Sequence, residues 1–377
     1  MALPPKRLTF VHHFRERSTD RPLPRIFRMT ANTQNALLPA EWHTQWGVQL
    51  TWPHEDTDWK PILEEVTRCY IDISREIARR EHLLVVTPHA EEVRKLLSAH
   101  LTPREMRQVS FRQMPTDDTW ARDHGFITLL DRNGKALRLD FQFNGWGKKF
   151  PAARDNHICR MLMEQNALPG TYENHLDFVL EGGSIESDGE GTLLTTSQCL
   201  MAPNRNQPLT REQIEQRLKD SLRAGRVLWL NHGTLAGDDT DGHVDTLARL
   251  CPGNTIAYVQ CTDPTDGHYR ELHLMEEELK AMRTRQGAPY HLLPLPMAEA
   301  AFDEEGNRLP ATYANFLFIN GAILMPTYGT PDTDREAISL MQRAFPEQEI
   351  IGIDCRPLII QHGSLHCCTM QFPLSKS

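Results

Sequence analysis

Four short segments gather the side chains best able to do chemistry, each beside glycines or turn residues. His362-Gly363-Ser364-Leu365-His366-Cys367-Cys368-Thr369 offers two imidazoles and two thiols. A thiolate is both a nucleophile and a zinc ligand, so the run fits covalent catalysis or a His362–His366–Cys367 metal corner. It equally fits two buried structural cysteines. Asp238-Asp239-Thr240-Asp241-Gly242-His243-Val244-Asp245 sets an imidazole and a carboxylate two positions apart. In a strand starting near His243 the pair would line one face, with Val244 on the other. Its rivals are a solvated acidic loop and a divalent-metal site, although the glycine and glutamate spacing of an EF-hand is missing. Leu180-Glu181-Gly182-Gly183-Ser184 ends an apolar run on a carboxylate, which is costly to bury unless a cation meets it. Trp120-Ala121-Arg122-Asp123-His124-Gly125 holds Asp123 between an arginine and a glycine, and alone reads equally as a surface ion pair.

Positioning these groups falls to an alternation of helices and paired strands. Apolar residues recur at spacings of three and four over residues 61–80, 90–100, 152–166, 210–224, 268–285 and 333–345, which predicts six amphipathic helices. Thr210 and Gln213 form a capping-box pattern at the fourth. Strand-like runs flank turn residues at 126–130 with 136–143, 184–187 with 192–196, 244–250 with 255–260, 316–319 with 322–326, and 357–360 with 365–371. These predict five hairpins separated by helices at intervals of roughly 50 to 65 residues, a loosely repeated β-hairpin-plus-helix unit of the α/β class. The chemical segments fall at the ends of those hairpins, where repeated α/β architectures place their sites.

Composition narrows the classes of function. The 377 residues are 40% apolar and 24% charged, with no apolar run near the roughly 18 residues that span a membrane. Fifty acidic against 41 basic residues give a formal charge of −9, which disfavours nucleic acid and suits a cationic ligand. Eight cysteines without a C-x-x-C pair point to a reducing cytoplasm rather than a disulfide framework. No G-x-G-x-x-G or Walker loop is present. Residues 1–37 read as a disordered N-terminal extension, its first 28 positions basic and lacking a secretory apolar core, ahead of one catalytic domain over 38–377.

Arg122-Asp123-x-Gly125, Leu180-Glu181-Gly182-Gly183-Ser184, Asp241-Gly242-His243-Val244-Asp245 and His366-Cys367 together resemble the agmatine deiminase family, which is grouped with the bacterial peptidyl-arginine deiminases. Trp52-Pro53, Trp59, Asp188 to Thr192, Asn204-Arg205-Asn206 and Asn315 to Pro326 extend the similarity from about Leu38 to Pro373, in the family's order. The resemblance implies a five-bladed α/β propeller with a central site and neither metal nor cofactor. It assigns Cys367 as nucleophile, His243 as general acid and base, and Glu181 as guanidinium ligand and proton shuttle. Asp123 and Asp245 become the guanidinium clamp, and Trp120 a substrate contact. The implied reaction converts agmatine to N-carbamoylputrescine and ammonia through a covalent thiouronium. Peptidyl-arginine, free arginine or another guanidino compound stand behind agmatine.

An amidinotransferase, and a non-catalytic binder of arginine-like ligands, remain alternatives. The implied partner is a small cationic guanidino substrate, with neither nucleic acid nor membrane, and the sequence allows a homo-oligomer. Departures from the family pattern are Gln361 to Leu365 in place of a Gly-rich stretch, Phe126 for Pro, Glu186 for His, Thr246 for Asn and Met370 for Gln. They are expected to alter the pocket beyond the guanidinium. Cys368, placed on the opposite strand face from Cys367, is the rival nucleophile.

Overall fold

Five sheets share one connection pattern in the computed structural model, which describes residues 36–376. The second sheet consists of β4 (Ile127–Leu130), β5 (Ala136–Gln142) and β6 (Thr171–Val179), and the third of β7 (Ile185–Ser187), β8 (Thr192–Thr196) and β9 (Arg226–Leu230). The fourth holds β10 (Ala248–Cys251), β11 (Thr255–Gln260) and β12 (His291–Pro296), and the fifth β13 (Leu317–Ile319), β14 (Ala322–Thr327) and β15 (Glu349–Asp354). In each, the first two strands pair antiparallel and the third joins the second in parallel. A parallel neighbour requires a crossover, and the amphipathic helices provide it. Asp155–Glu164, Arg211–Leu222, Tyr269–Ala281 and Pro331–Ala344 each lie between the second and third strands of their sheet.

The first sheet completes the set from distant parts of the chain. It runs β16 (Thr369–Pro373), β1 (Gln45–Thr51), β2 (His82–Thr87), β3 (Val109–Gln113), with β16 antiparallel to β1 and the rest parallel. Leu63–Ala78 and Ala90–His100 are its crossovers. The first buries Val66, Tyr70, Ile73 and Ile77, one helical face, in the cluster that holds Leu83 and Val85 of β2.

All six expected helices are present, and four of the five expected hairpins. The fifth fails because Arg356–Ile359 is a helical turn with Pro357 inside its start. Proline has no N–H to donate to a ladder, yet its fixed φ suits a first helical turn. The antiparallel partner of β16 is therefore β1, some 320 residues away in sequence by the Met370–Gln49 pairing. Residues 244–246 are also not a strand. Asp241 and Gly242 take positive φ, and the Thr246 N–H and hydroxyl both return to the His243 carbonyl, closing a 3-10 turn over Val244–Thr246. The expected disordered extension lies outside the described residues except for Ala36 and Leu37, and Leu37 bridges Leu130. Among the described residues no helix is long and apolar enough to cross a membrane.

The capping box at Thr210 is formed: its side chain accepts from the Gln213 N–H while Gln213 accepts from the Thr210 N–H. Thr210→Ala is expected to lower stability by about 1 kcal/mol, read as an earlier urea midpoint at unchanged slope. A wild-type midpoint would show that this cap contributes nothing.

Candidate active site

Every sheet contributes to one centre through the turn that leads into its first strand. Asp123 lies in the turn Ala121–His124 ahead of β4, and Glu181 immediately before the 3-10 turn Gly182–Ser184 ahead of β7. His243 and Asp245 precede β10, Asn315 precedes β13, and Cys367 precedes β16. Five sheets thus deliver six side chains, each at most 5% exposed.

Gly183 marks where they converge. A Cβ on it would lie 2.6 Å from His243 Nδ1, 2.9 Å from Asp123 Oδ1 and 3.1 Å from Asp245 Oδ2, so only glycine lets these groups approach. Cys367 Sγ is 3.4 Å from Asn315 Oδ1 and 3.9 Å from Asp245 Oδ2. Asn315 Oδ1 also accepts from the backbone N–H of His366 at 2.9 Å and of Cys367 at 3.3 Å, which fixes the turn that carries the thiol. His243 Nδ1 is 3.6 Å from Asp123 Oδ1, outside hydrogen-bond range. Both His243 nitrogens and Asp245 Oδ1 are buried without a hydrogen-bond partner. Unsatisfied polar atoms of this kind mark a centre built for a ligand.

Each carboxylate is held from behind. Trp146 Nε1 donates to Asp123 Oδ2 at 2.9 Å, and the Gly183 N–H donates to Oδ1 at 3.1 Å. Arg205 Nε donates to both oxygens of Glu181, at 3.0 and 3.2 Å, while its Nη1 reaches Asp241. His366 Nδ1 lies 2.7 Å from Asp245 Oδ2. The cation that a buried Glu181 was expected to need is therefore Arg205.

Burial raises the Asp123 carboxyl to about 6 despite the lowering effect of His243. Burial alone would lower the His243 imidazole, but Asp123, Cys199 and Glu181 outweigh it and push the ring well above its ordinary value. Burial, then Asp245 and Asp123, push the Cys367 thiol well up. The free protein thus holds a protonated imidazole beside a protonated thiol, and a bound cation is what the thiolate lacks.

Several expectations from sequence change. His362 and His366 do not form a metal corner with Cys367: His362 Nδ1 bonds the Gly237 carbonyl, whereas His366 turns inward. The Asp238 to Asp241 run is satisfied locally, Asp238 accepting from Thr240 and Gly242 and Asp241 pairing Lys149 and Arg205. Cys368 is separated from Cys367 by turn geometry rather than strand alternation, its Sγ donating to the Leu365 carbonyl in the core. Trp120 packs against Trp59 and closely over Gly363. The departures Glu186 and Met370 are both buried, Glu186 on Arg249 and Met370 against Gly182.

Sequence reasoning missed Asn315 and Arg205 as site residues, although both lie in stretches singled out for similarity. Asn315 sits at the same place relative to its hairpin as the other site residues do to theirs, which was the available signal. Cys199, whose Sγ lies with Glu181 and His243 in a group all within 4.8 Å, and Trp146 carried no signal. An open cleft lined by Leu38, Glu41, Arg122, Ile127 and Glu186 among others includes none of the six central residues.

The chain matches the sequence profile of the Porphyromonas-type peptidyl-arginine deiminases over residues 37–373. It is 33% identical over 360 residues to the agmatine deiminase of Pseudomonas syringae pv. tomato, covering 89% of this chain and 95% of that one. A solved Porphyromonas gingivalis chain, provisionally called an arginine deiminase, is 54% identical with a TM-score of 0.84 over 90% of this chain and 98% of that one. A cysteine-to-serine variant of C. jejuni agmatine deiminase with substrate bound is 38% identical, with a TM-score of 0.82 over 90% and 96% of the two chains.

Gly183→Ala tests the convergence. The added methyl must displace His243, Asp123 or Asp245, and a shift of about 1 Å is expected to cost about 10²-fold in turnover while the protein stays folded. Near-normal turnover of a folded Gly183→Ala would show that the centre tolerates the displacement.

Proposed function

Because the chain belongs to the Porphyromonas-type peptidyl-arginine deiminase family, we propose that it hydrolyses the guanidino group of agmatine to N-carbamoylputrescine and ammonia. The observation that carries this reading is the water-excluded convergence of Asp123, Glu181 and Asp245 on a thiol and an imidazole whose nitrogens have no partner. A guanidinium is a planar cation rich in N–H donors, and carboxylates complement it in both charge and geometry.

Asp123, Glu181 and Asp245 bind and orient the guanidinium. Its positive charge offsets the carboxylates that hold the Cys367 proton in place, so the thiol releases that proton to solvent as substrate binds and the thiolate forms. Sulfur adds to the guanidinium carbon; the C–N bond to one terminal nitrogen then breaks as His243 gives that nitrogen a proton, and ammonia departs. Water adds to the thiouronium carbon while His243 takes one of its protons; as the C–S bond breaks, the remaining hydroxyl proton passes to the departing sulfur, which restores the Cys367 thiol, and a urea product leaves. Glu181, fixed by Arg205, shuttles protons between nitrogen and water. Trp120 is assigned to the substrate's approach.

The enclosed site supports a slender free guanidine over an arginine carried on a folded polypeptide. Five sheets with one strand order support a five-bladed α/β propeller, a single catalytic domain over 38–377. Eight free buried cysteines fit a reducing cytoplasm, with a small cationic guanidino compound as the partner and no nucleic acid or membrane.

Ammonia release from agmatine, arginine, dimethylarginine and an arginine peptide, with chelator present, tests the reading. Agmatine is expected to be fastest, with chelator without effect. Cys367→Ala is expected to lose at least about 10³-fold and Cys368→Ala to stay active. Full activity in Cys367→Ala ends the mechanism, and activity lost to chelator replaces it with a metal-dependent one. For pH, kcat/KM is expected to fall as pH drops through about 6, because Asp123 takes up a proton and leaves the clamp. A flat profile down to pH 5 would remove Asp123 from that role.

A further inference from the structure

A second buried charge cluster lies behind Asp245, and the reaction as written does not use it. His366 Nδ1 is 2.7 Å from Asp245 Oδ2, and its Nε2 is 2.6 Å from Glu41 Oε2. Arg249 Nη2 is 3.0 Å from the same Glu41 oxygen, Arg249 Nε holds Glu186, and Arg122 Nη2 stands 3.5 Å from Glu41. All six groups are buried. Glu41, Glu186 and His366 are close enough to hold a metal, but two guanidiniums already supply the positive charge there.

A neutral imidazole has one donor and one acceptor nitrogen, and set between two carboxylates it would turn a lone pair toward one of them. Only a ring with a proton on each nitrogen donates to both. Arg249 Nη2 lies 3.0 Å from His366 Nε2 and 3.0 Å from Glu41 Oε2, so imidazole, guanidinium and carboxylate meet at one point.

Resting on the guanidine-hydrolase reading above, we propose that His366 is a positioning residue: a cationic bridge from Glu41 that ties Asp245 by Oδ2 and leaves Oδ1 as the free acceptor for the substrate's guanidinium. Asp245 Oδ1 is the oxygen without a partner. The bridge is rigid at its far end, because Glu41 also accepts from the Phe318 N–H at 2.9 Å. It is anchored at its near end, because Asn315 holds the His366 and Cys367 backbone. One imidazole thus links the orientation of the clamp to the turn that carries the nucleophile.

The groups facing Asp245 are His366, His243, Arg249 and Arg122 on one side of the balance and the Asp123 carboxylate on the other, with the Cys367 thiol beside them. Burial alone would raise the Asp245 carboxyl, and His366 first, then His243 and Arg249, hold it below the ordinary range. Burial would raise Glu41 too, and His366, Arg249 and Arg122 bring it down. Without the bridge, Asp245 joins Asp123 as a group that must lose a proton before substrate binds.

The test is ammonia release from agmatine by the full chain between pH 5 and 9, for wild type, His366→Gln and Glu41→Gln, with folding checked by circular dichroism and thermal unfolding. Folded His366→Gln is expected to lose about 10²-fold in kcat/KM, with KM raised, and its acid limb to steepen and move up by about one pH unit. Glu41→Gln keeps an acceptor for Nε2 but not the charge, and is expected to shift in the same direction by less. A folded His366→Gln with the wild-type acid limb overturns the proposal, whatever its melting temperature. If that variant does not fold, Glu41→Gln is read by the same limb, and a wild-type limb there overturns it as well. Absence of turnover in wild type would instead defeat the guanidine reading itself.

Discussion

A carboxylate removed from water must be met by positive charge, and the centre of this molecule collects five: Glu41, Asp123, Glu181, Glu186 and Asp245. Among the described residues three buried guanidiniums stand with them, Arg122, Arg205 and Arg249. The imidazole of His243 is drawn into the balance, and the Asp123 carboxyl is raised to about 6. A site in this condition is selective before shape is considered. It favours any cation that fits and resists an anion, and it keeps its own thiol protonated until the cation arrives.

The fold serves this balance by repetition. Each sheet begins with a turn that projects a polar side chain inward, then continues into a largely buried first and second strand, while the third strand is more exposed in four of the five sheets. The arginines are spread: Arg249 comes from inside β10, Arg205 from the segment between β8 and β9, and Arg122 from the same turn as Asp123 ahead of β4. Lead-in turns supply the central groups, and strands and loops behind them supply most of the partners. Glycine at 183 leaves the space in which the groups meet.

What the sequence made legible follows the same division. Asp123, Glu181, His243, Asp245 and Cys367 sit in compact, glycine-flanked segments, and the structure brings all five together. The six helices were legible because 3.6-residue periodicity is local. The third strands were not: β6, for example, is half exposed over most of its length and shows no alternation. The β16–β1 pairing is invisible to any local pattern, since it joins segments at opposite ends of the described chain. The strand expected at His243 failed because a threonine hydroxyl and a positive-φ pair decide that turn, and neither registers as periodicity. Trp146 and Glu41 escaped notice because they act through long-range contacts whose partners only the fold reveals.

The pairing of β1 with β16 also orders events during synthesis. Cys367 lies just ahead of β16, which follows the other fifteen described strands in the chain and is the strand β1 waits for. Until it arrives, β1 keeps an open edge, and the groups brought by the other four sheets have no thiol beside them. Closing the first sheet and seating Cys367 in the centre are thus one step, and a chain interrupted before that step exposes an unpaired strand without an assembled centre.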